Sequence, residues 1–150
     1  MFNSRAGRNV YEVEKMEGNL LNNLSSFDLE ELVISYLQIA KDYYVLSNSI
    51  AKRSTTMNVE CEFRSRRKAY PQKAVVQVKS PRYSGVLDAL SFKQYINDGY
   101  IVYLYAPKVE NADKMKNCMQ ITDEELMTFY KNNKSILPDS ITKWENLIKE

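Results

Sequence analysis

Histidine is absent from the 150 residues of this chain, and its absence excludes several kinds of active site. Serine–histidine–aspartate triads, cysteine–histidine proteases, HExxH zinc sites and nucleases with a histidine base all need an imidazole. Glycine is also scarce, and the four glycines, at positions 7, 18, 85 and 99, cannot form a GxGxxG motif or a Walker loop. Chemistry is therefore left to carboxylates, lysines, amides and hydroxyls, the side chains that suit a hard cation.

Cysteines and long apolar runs are few as well. Cys61 and Cys118 stand far apart, so they form neither a CxxC zinc motif nor a disulfide scaffold. The N-terminal segment lacks the apolar run of a signal peptide, and the longest strongly apolar stretch, residues 100–106, is about a third of a membrane helix. We expect a single cytoplasmic domain over residues 1–150 with no membrane partner.

The basic residues are concentrated in one part of the chain. Residues 63–87 contain no Asp or Glu, although the net charge of the whole chain is only +2. Their Lys and Arg residues are Arg64, Arg66, Arg67, Lys68, Lys73, Lys79 and Arg82. An ordinary solvated face usually mixes both signs, whereas an unmixed basic cluster is typical of proteins that displace counterions from nucleic acid. The window therefore favours binding to a phosphate backbone.

Capping signals and hydrophobic periodicity predict a helix, three strands, a second helix, one or two strands and then C-terminal helices. A capping box of Asp28 and Glu31, with Phe27 as a staple against Leu32, predicts the first helix. Period-two alternation or β-branched and aromatic content predicts three strands, at 43–49, 58–64 and 74–80. The later predicted elements are a helix at 86–97 closed by Gly99, a strand buried on both faces at 100–106, a short strand at 118–121, a helix from the Thr122–Glu125 capping box to about Asn133, and a final helix after Pro138.

Three polar side chains share one side of two neighbouring predicted strands. Alternation directs Glu62 away from the core on one strand, and Gln77 and Lys79 away from it on the next. An acidic residue, a short hairpin and then an amide two residues before a lysine form the arrangement that a metal-dependent phosphodiesterase needs. Carboxylates hold Mg²⁺, while a nearby ammonium orients the attacking water or offsets charge on the phosphate.

This segment resembles a known family. Glu62, followed after fourteen residues by Gln77 within the run Val76-Gln77-Val78-Lys79-Ser80, resembles the PD-(D/E)XK nuclease superfamily with its restriction-endonuclease-like fold. The resemblance covers a core of about residues 28–106. The C-terminal helices are expected at about 122–150, and within them the segment from Asp123 to Trp144 is similar to the region after the core in uncharacterised bacterial members. It implies an α/β fold with a mixed central sheet of four or five strands flanked by helices. It also implies DNA as the substrate, Mg²⁺ or Mn²⁺ as the cofactor, and a homodimer, in which each subunit cuts one strand.

The resemblance assigns roles to four residues. Glu62 matches the acidic residue of the first half-motif, and Gln77 and Lys79 match the acidic position and the lysine of the second. Glu62 and Gln77 would then hold the metal, and Glu31 matches the glutamate that some families carry on the first helix. Two departures concern charge and length: Gln77 is neutral where most members have a carboxylate, and Glu62 stands where Asp is commoner. Glu60 faces the same side as Glu62 and stays an alternative ligand.

The sequence thus favours a metal-dependent endonuclease that hydrolyses DNA phosphodiester bonds, in restriction or phage defence. Arg64, Arg66, Arg67, Lys68, Lys73 and Arg82 are the candidate nucleic-acid-binding residues. The main alternative is a catalytically inactive nucleic-acid-binding module on the same fold, in which Gln77 marks the loss of the metal. A third hypothesis is a protein-interaction domain with no role in nucleic-acid binding.

Overall fold

A computed structural model describes residues 20–47, 59, 61–67, 69 and 72–149, with side chains up to residue 146. Two helices come first, α1 (Leu20–Asn23) and α2 (Ser26–Ile39). Ser25 is the N-cap of α2, because its hydroxyl accepts a hydrogen bond from the Asp28 amide at 3.1 Å. The helix therefore begins before the predicted capping box, and the predicted staple is wrong, since Phe27 is 75% exposed.

Seven strands are described after these two helices. They are β1 (Tyr43–Val45), β2 (Cys61–Ser65), β3 (Lys73–Val78), β4 (Leu87–Asp88), β5 (Ile101–Tyr105), β6 (Val109–Glu110) and β7 (Cys118–Gln120). The main sheet has the order β1-β2-β3-β5-β7, with antiparallel pairing from β1 to β3 and parallel pairing from β3 to β7. The prediction of a mixed sheet with four or five strands is confirmed. Of the two predicted strands at 43–49 and 58–64, residues 48, 49, 58 and 60 lie outside the described residues.

The predicted helix at 86–97 is only partly present. The segment begins with strand β4, which pairs with β6, and continues through a 3-10 turn (Ala89–Phe92) into the short helix α3 (Lys93–Asn97). The Asp88 carboxylate accepts hydrogen bonds from the Leu90 amide at 3.0 Å and from Asn111 Nδ2 at 2.9 Å, which fixes this start. Gly99, with a φ of 92°, closes α3 as predicted.

The two C-terminal helices agree with the prediction. They are α4 (Asp123–Asn133), capped by Thr122, and α5 (Asp139–Lys149). Three hydrogen bonds between an aromatic side chain and a carboxylate join these helices to each other and to α2. They are Tyr36 Oη to Glu125 at 2.7 Å, Trp144 Nε1 to Asp28 at 2.8 Å, and Tyr130 Oη to Glu145 at 2.6 Å.

The sheet separates two apolar clusters. Phe63, Val76 and Tyr103 face α2, α4 and α5 on one side. On the other side, Val75 and Leu104 pack in a second cluster, which includes side chains of the 3-10 turn before α3. Strand β5 is buried along its whole length, so the prediction of a strand covered on both faces is confirmed. None of the described helices combines the length and the apolar character needed to cross a bilayer.

Candidate functional site

Two of the predicted site residues lie on one face of adjacent strands. In the register of β2 and β3, Glu62 is opposite Val75, and Gln77 is two residues further along β3. Residues directly opposite each other, and those two positions away, point to the same face of a sheet. Glu62 and Gln77 are therefore diagonal neighbours, with Cα atoms about 7–8 Å apart. The face they share is the one that carries the second apolar cluster.

The Glu62 carboxylate lies beside a cation. Its side chain is 21% exposed, and Arg64 Nη1 lies 3.7 Å from Glu62 Oε1. The same Arg64 nitrogen donates a hydrogen bond to the Phe63 carbonyl at 3.0 Å, which holds the guanidinium along β2. A cation that is to bind Glu62 therefore competes with this ion pair.

Gln77 is buried in apolar surroundings. It is 7% exposed, and its neighbours on the same face include Val75 on β3 and Leu104, its partner on β5. Its Nε2 lies 3.5 Å from the Val78 carbonyl. A carboxylate at this position would lose its hydration, whereas an amide carries no net charge to desolvate. The neutral residue thus fits the local packing.

Lys79 follows the end of β3. Its amide donates to the Tyr105 carbonyl at 2.8 Å, which continues the ladder, and its Nζ lies 5.0 Å from the centroid of the Tyr83 ring. Lys79 also lines a cavity of about 330 Å³ between the loop after β3 and the start of α2. The other lining residues are Ser26, Leu29, Glu30, Val78, Ser80, Arg82 and Tyr83.

The helix carboxylate that lies near Lys79 is Glu30 rather than Glu31. Glu31 is exposed, and its carboxylate accepts a hydrogen bond from Ser35 Oγ at 3.3 Å. Glu30 lines the same cavity as Lys79. Leu29 and Val78 place this cavity on the α2 side of the sheet, so neither Glu30 nor Glu31 joins Glu62 and Gln77, which face the second cluster. The sequence held a signal for Glu30, since it stands three residues before Val33 and seven before Leu37, two apolar residues of α2 that are buried in the first cluster.

The candidate nucleic-acid-binding residues divide between the two ends of β3. At the hairpin end, Arg64 and Lys73 are paired across the strands and both approach Tyr100, with Arg64 Cζ 5.8 Å and Lys73 Nζ 4.6 Å from the ring centroid. Lys73 also donates to the Asp98 carbonyl at 2.9 Å. Arg66 and Arg67 are exposed just beyond β2, and Lys68 lies outside the described residues.

Arg82 lies at the opposite end of β3, where it lines the cavity with Lys79. Its Nη1 lies 3.4 Å from the Asn22 carbonyl. At about 3.3 Å per residue, Lys73 and Lys79 are about 20 Å apart along the strand. The structure therefore brings together Arg64 and Lys73, and separately Lys79 and Arg82, but it does not join the two pairs.

The donors present fit a magnesium ion in type. Carboxylate and amide oxygens are hard ligands, and Mg²⁺ commonly binds proteins through one or two carboxylates while it keeps several waters. Within the part of the chain that the structure describes, no group of three or more His, Cys, Asp or Glu residues could hold a metal. The described donors are thus Glu62 and Gln77, while Glu60, the alternative ligand, lies outside the described residues.

A second cavity, of about 400 Å³, lies at the carboxyl ends of β5 and β7. Two carboxylates line it, those of Asp123 and Glu124. Burial raises the pKa of the Tyr105 phenol, and the hydrogen bond from Tyr105 Oη to Asp123 at 2.5 Å raises it further. Tyr105 therefore keeps its proton and donates it in the hydrogen bond to Asp123, and the two carboxylates make this cavity unfavourable for a phosphate.

Comparisons with protein-family models, with curated protein sequences and with solved structures gave no match to this chain.

Proposed function

We propose that this chain is a Mg²⁺- or Mn²⁺-dependent nuclease that hydrolyses DNA phosphodiester bonds on a restriction-endonuclease-like core. The observation that carries the proposal is the position of Glu62 and Gln77 on one face of adjacent antiparallel strands, with Lys79 at the end of the second strand. The order of elements is the one expected from the resemblance: α2, three antiparallel strands, a helical segment and a parallel strand.

Each residue has a separate task in this proposal. The oxygens of Glu62 and Gln77 hold the metal, which when bound screens the phosphate and lowers the pKa of its water. The Lys79 ammonium binds and orients the phosphate from the end of β3. Glu30, which shares the cavity with Lys79, is the helix carboxylate nearest to that lysine. Because α2 packs on the sheet face opposite Glu62 and Gln77, Glu30 acts on Lys79 and does not hold the metal. DNA as the substrate and a homodimer that cuts both strands follow from the resemblance alone.

A plasmid-nicking assay tests the proposal. The wild-type protein should nick supercoiled DNA in Mg²⁺ or Mn²⁺ and lose this activity with a chelator. Lys79→Ala should reduce the rate about 100-fold or more, as the loss of a preorganised electrostatic contact does at other enzymes. Lys93→Ala removes an exposed lysine of α3 and should leave the rate unchanged. The proposal is wrong if purified protein nicks DNA in neither metal, or if Lys79→Ala nicks like the wild type.

The helix carboxylate is tested by a neighbouring pair of variants. Glu30→Gln should slow nicking, whereas Glu31→Gln should not, because only Glu30 lines the cavity with Lys79. The reverse result would return the role to Glu31. Circular dichroism of both variants shows whether α2 is intact.

The second candidate function is a nucleic-acid-binding module without catalysis. The ion pair between Glu62 and Arg64, at 3.7 Å, favours this function, because the guanidinium already neutralises the carboxylate that a metal would need. In this case the protein binds DNA with a steep dependence on salt, but nicks it in neither metal. A protein-interaction domain would show no such salt dependence.

A further inference from the structure

The cavity beside Lys79 has the lining of a phosphate site. Two cationic side chains, Lys79 and Arg82, reach it from the end of β3 and the loop after that strand. Hydroxyl-bearing Ser26 and Ser80 also line it, and Glu30 supplies a single carboxylate. These charges leave a net positive cavity, which suits a group with one or two negative charges. Its volume of about 330 Å³ lies in the range of small-ligand sites.

The Tyr83 ring positions Lys79 at this cavity. Lys79 Nζ lies 5.0 Å from the ring centroid, within the range of a cation–π contact. The ring can take this place because residue 85 is glycine. A Cβ at Gly85 would lie 2.6 Å from Tyr83 Oη and 2.7 Å from Cζ, so any other residue displaces the ring.

We infer that this cavity binds one nucleotide of a nucleic-acid strand through its phosphate, which contacts Lys79 and Arg82. Tyr83 is a positioning residue, which acts on the phosphate through Lys79. The inference rests on the proposed function in that the strand is the nuclease substrate. It adds a phosphate contact at the end of β3 that is about 20 Å along the strand from Lys73, with Arg82 and Tyr83 as its determinants.

Titration with a mononucleotide, followed by NMR in the absence of metal, tests the inference. Thymidine 5′-monophosphate should shift the signals of Lys79, Arg82 and Tyr83, and thymidine, which lacks the phosphate, should not. Arg82→Gln should weaken binding about three- to fivefold, as expected for one exposed ion pair. Lys131→Gln removes an exposed lysine of α4, far from the cavity in the sequence, and should leave the affinity unchanged.

A second set of variants tests the role of Tyr83. The Tyr83 ring current should shift the Lys79 Hε signals, and this shift should persist in Tyr83→Phe but disappear in Tyr83→Leu and in Gly85→Ala. Tyr83→Leu should also weaken binding of the mononucleotide, whereas Tyr83→Phe should not. Glu30→Gln should strengthen binding, because it removes the carboxylate from the cavity wall.

The phosphate site is refuted if thymidine shifts the same signals as its monophosphate, or if Arg82→Gln binds as tightly as the wild type. The positioning role is refuted if Tyr83→Leu retains the Lys79 shift. These outcomes are independent of catalysis, because binding is measured without metal. Lack of nicking would refute the proposed nuclease activity but not the phosphate site. Lack of mononucleotide binding would refute the phosphate site but not the nuclease activity.

Discussion

Gln77 determines how much negative charge β2 and β3 together can offer to a metal ion. Its side chain is one of three buried polar side chains in the described part of the protein, and Val75 and Leu104 flank it on the same sheet face. An unpaired carboxylate at such a place costs several kcal/mol, and the usual result is a raised pKa. The amide avoids this cost in the absence of a metal. With an amide at position 77, Glu62 supplies the negative charge of the pair formed by Glu62 and Gln77.

Gln77→Glu is expected to make stability depend on pH. Burial should raise the pKa of the new carboxyl in the folded state above the unfolded value of about 4.3. Its stability contribution is then present below about pH 4.3 and lost as the pH rises through the folded pKa, by about 1.4 kcal/mol for each pH unit that separates the folded and unfolded pKa values. Urea unfolding between pH 4 and pH 8 measures this loss, and Mn²⁺ should restore stability if Glu62 and residue 77 share the ion.

Gln72→Glu is the matched control for this variant, because Gln72 is exposed just before β3. It adds the same charge without burial, so its stability should follow that of the wild type across the same pH range. Parallel curves for the two variants would contradict the assignment of Gln77 to a buried position.

Among the secondary-structure elements, helix α4 begins where a capping residue, Thr122, sets its N-terminus. Thr122 Oγ1 accepts from the Glu125 amide at 3.1 Å and lies 3.2 Å from Glu125 Oε2. Thr122→Ala should lower the free energy of unfolding by about 1 kcal/mol, measured by urea denaturation. Thr128→Ala, an exposed position within the same helix, should be neutral or slightly stabilising, because Ala has the higher helix propensity. Equal losses in both variants would contradict the capping role.

Elements with local signals could be predicted, and those fixed by distant contacts could not. The Thr122 cap lies within the sequence window of the helix that it starts. The predicted helix at 86–97 is instead interrupted by the contact between Asp88 and Asn111, which are 23 residues apart. Propensity and periodicity within residues 86–97 carry no information about Asn111, so the pairing of β4 with β6 was missed.

The candidate site, like the fold, could be predicted only where the signal was local in sequence. Strand alternation was enough to place Glu62 and Gln77 on one face, because the register of a short hairpin is local. Alternation does not show what covers that face, so the burial of Gln77 was not foreseen. The choice between Glu30 and Glu31 depends on how α2 packs against the loop after β3, and that contact spans about a third of the chain.

At the scale of the whole molecule, β3 separates two groups of exposed positive charge. Arg66 and Arg67 lie at the hairpin end, and Arg82 lies at the other end. Lys73 and Lys79, at the two ends of this strand, are about 20 Å apart, which exceeds the Debye length of about 8 Å at physiological salt. The two groups therefore act on a bound DNA independently, provided that one duplex contacts both.

Independent action predicts additive losses of DNA affinity. The double variant Arg66→Gln/Arg67→Gln should reduce the slope of log K against log salt by about 1.8, and Arg82→Gln by about 0.9. The triple variant should lose the sum of the two free energies within about 0.5 kcal/mol. Fluorescence anisotropy with a duplex of about 20 base pairs, between about 50 and 200 mM salt, measures both quantities. Lys131→Gln, an exposed position on α4, controls for net charge. A triple variant that binds like the double variant would mean that the duplex contacts only the hairpin end, because a charge that touches a phosphate must release its counterion.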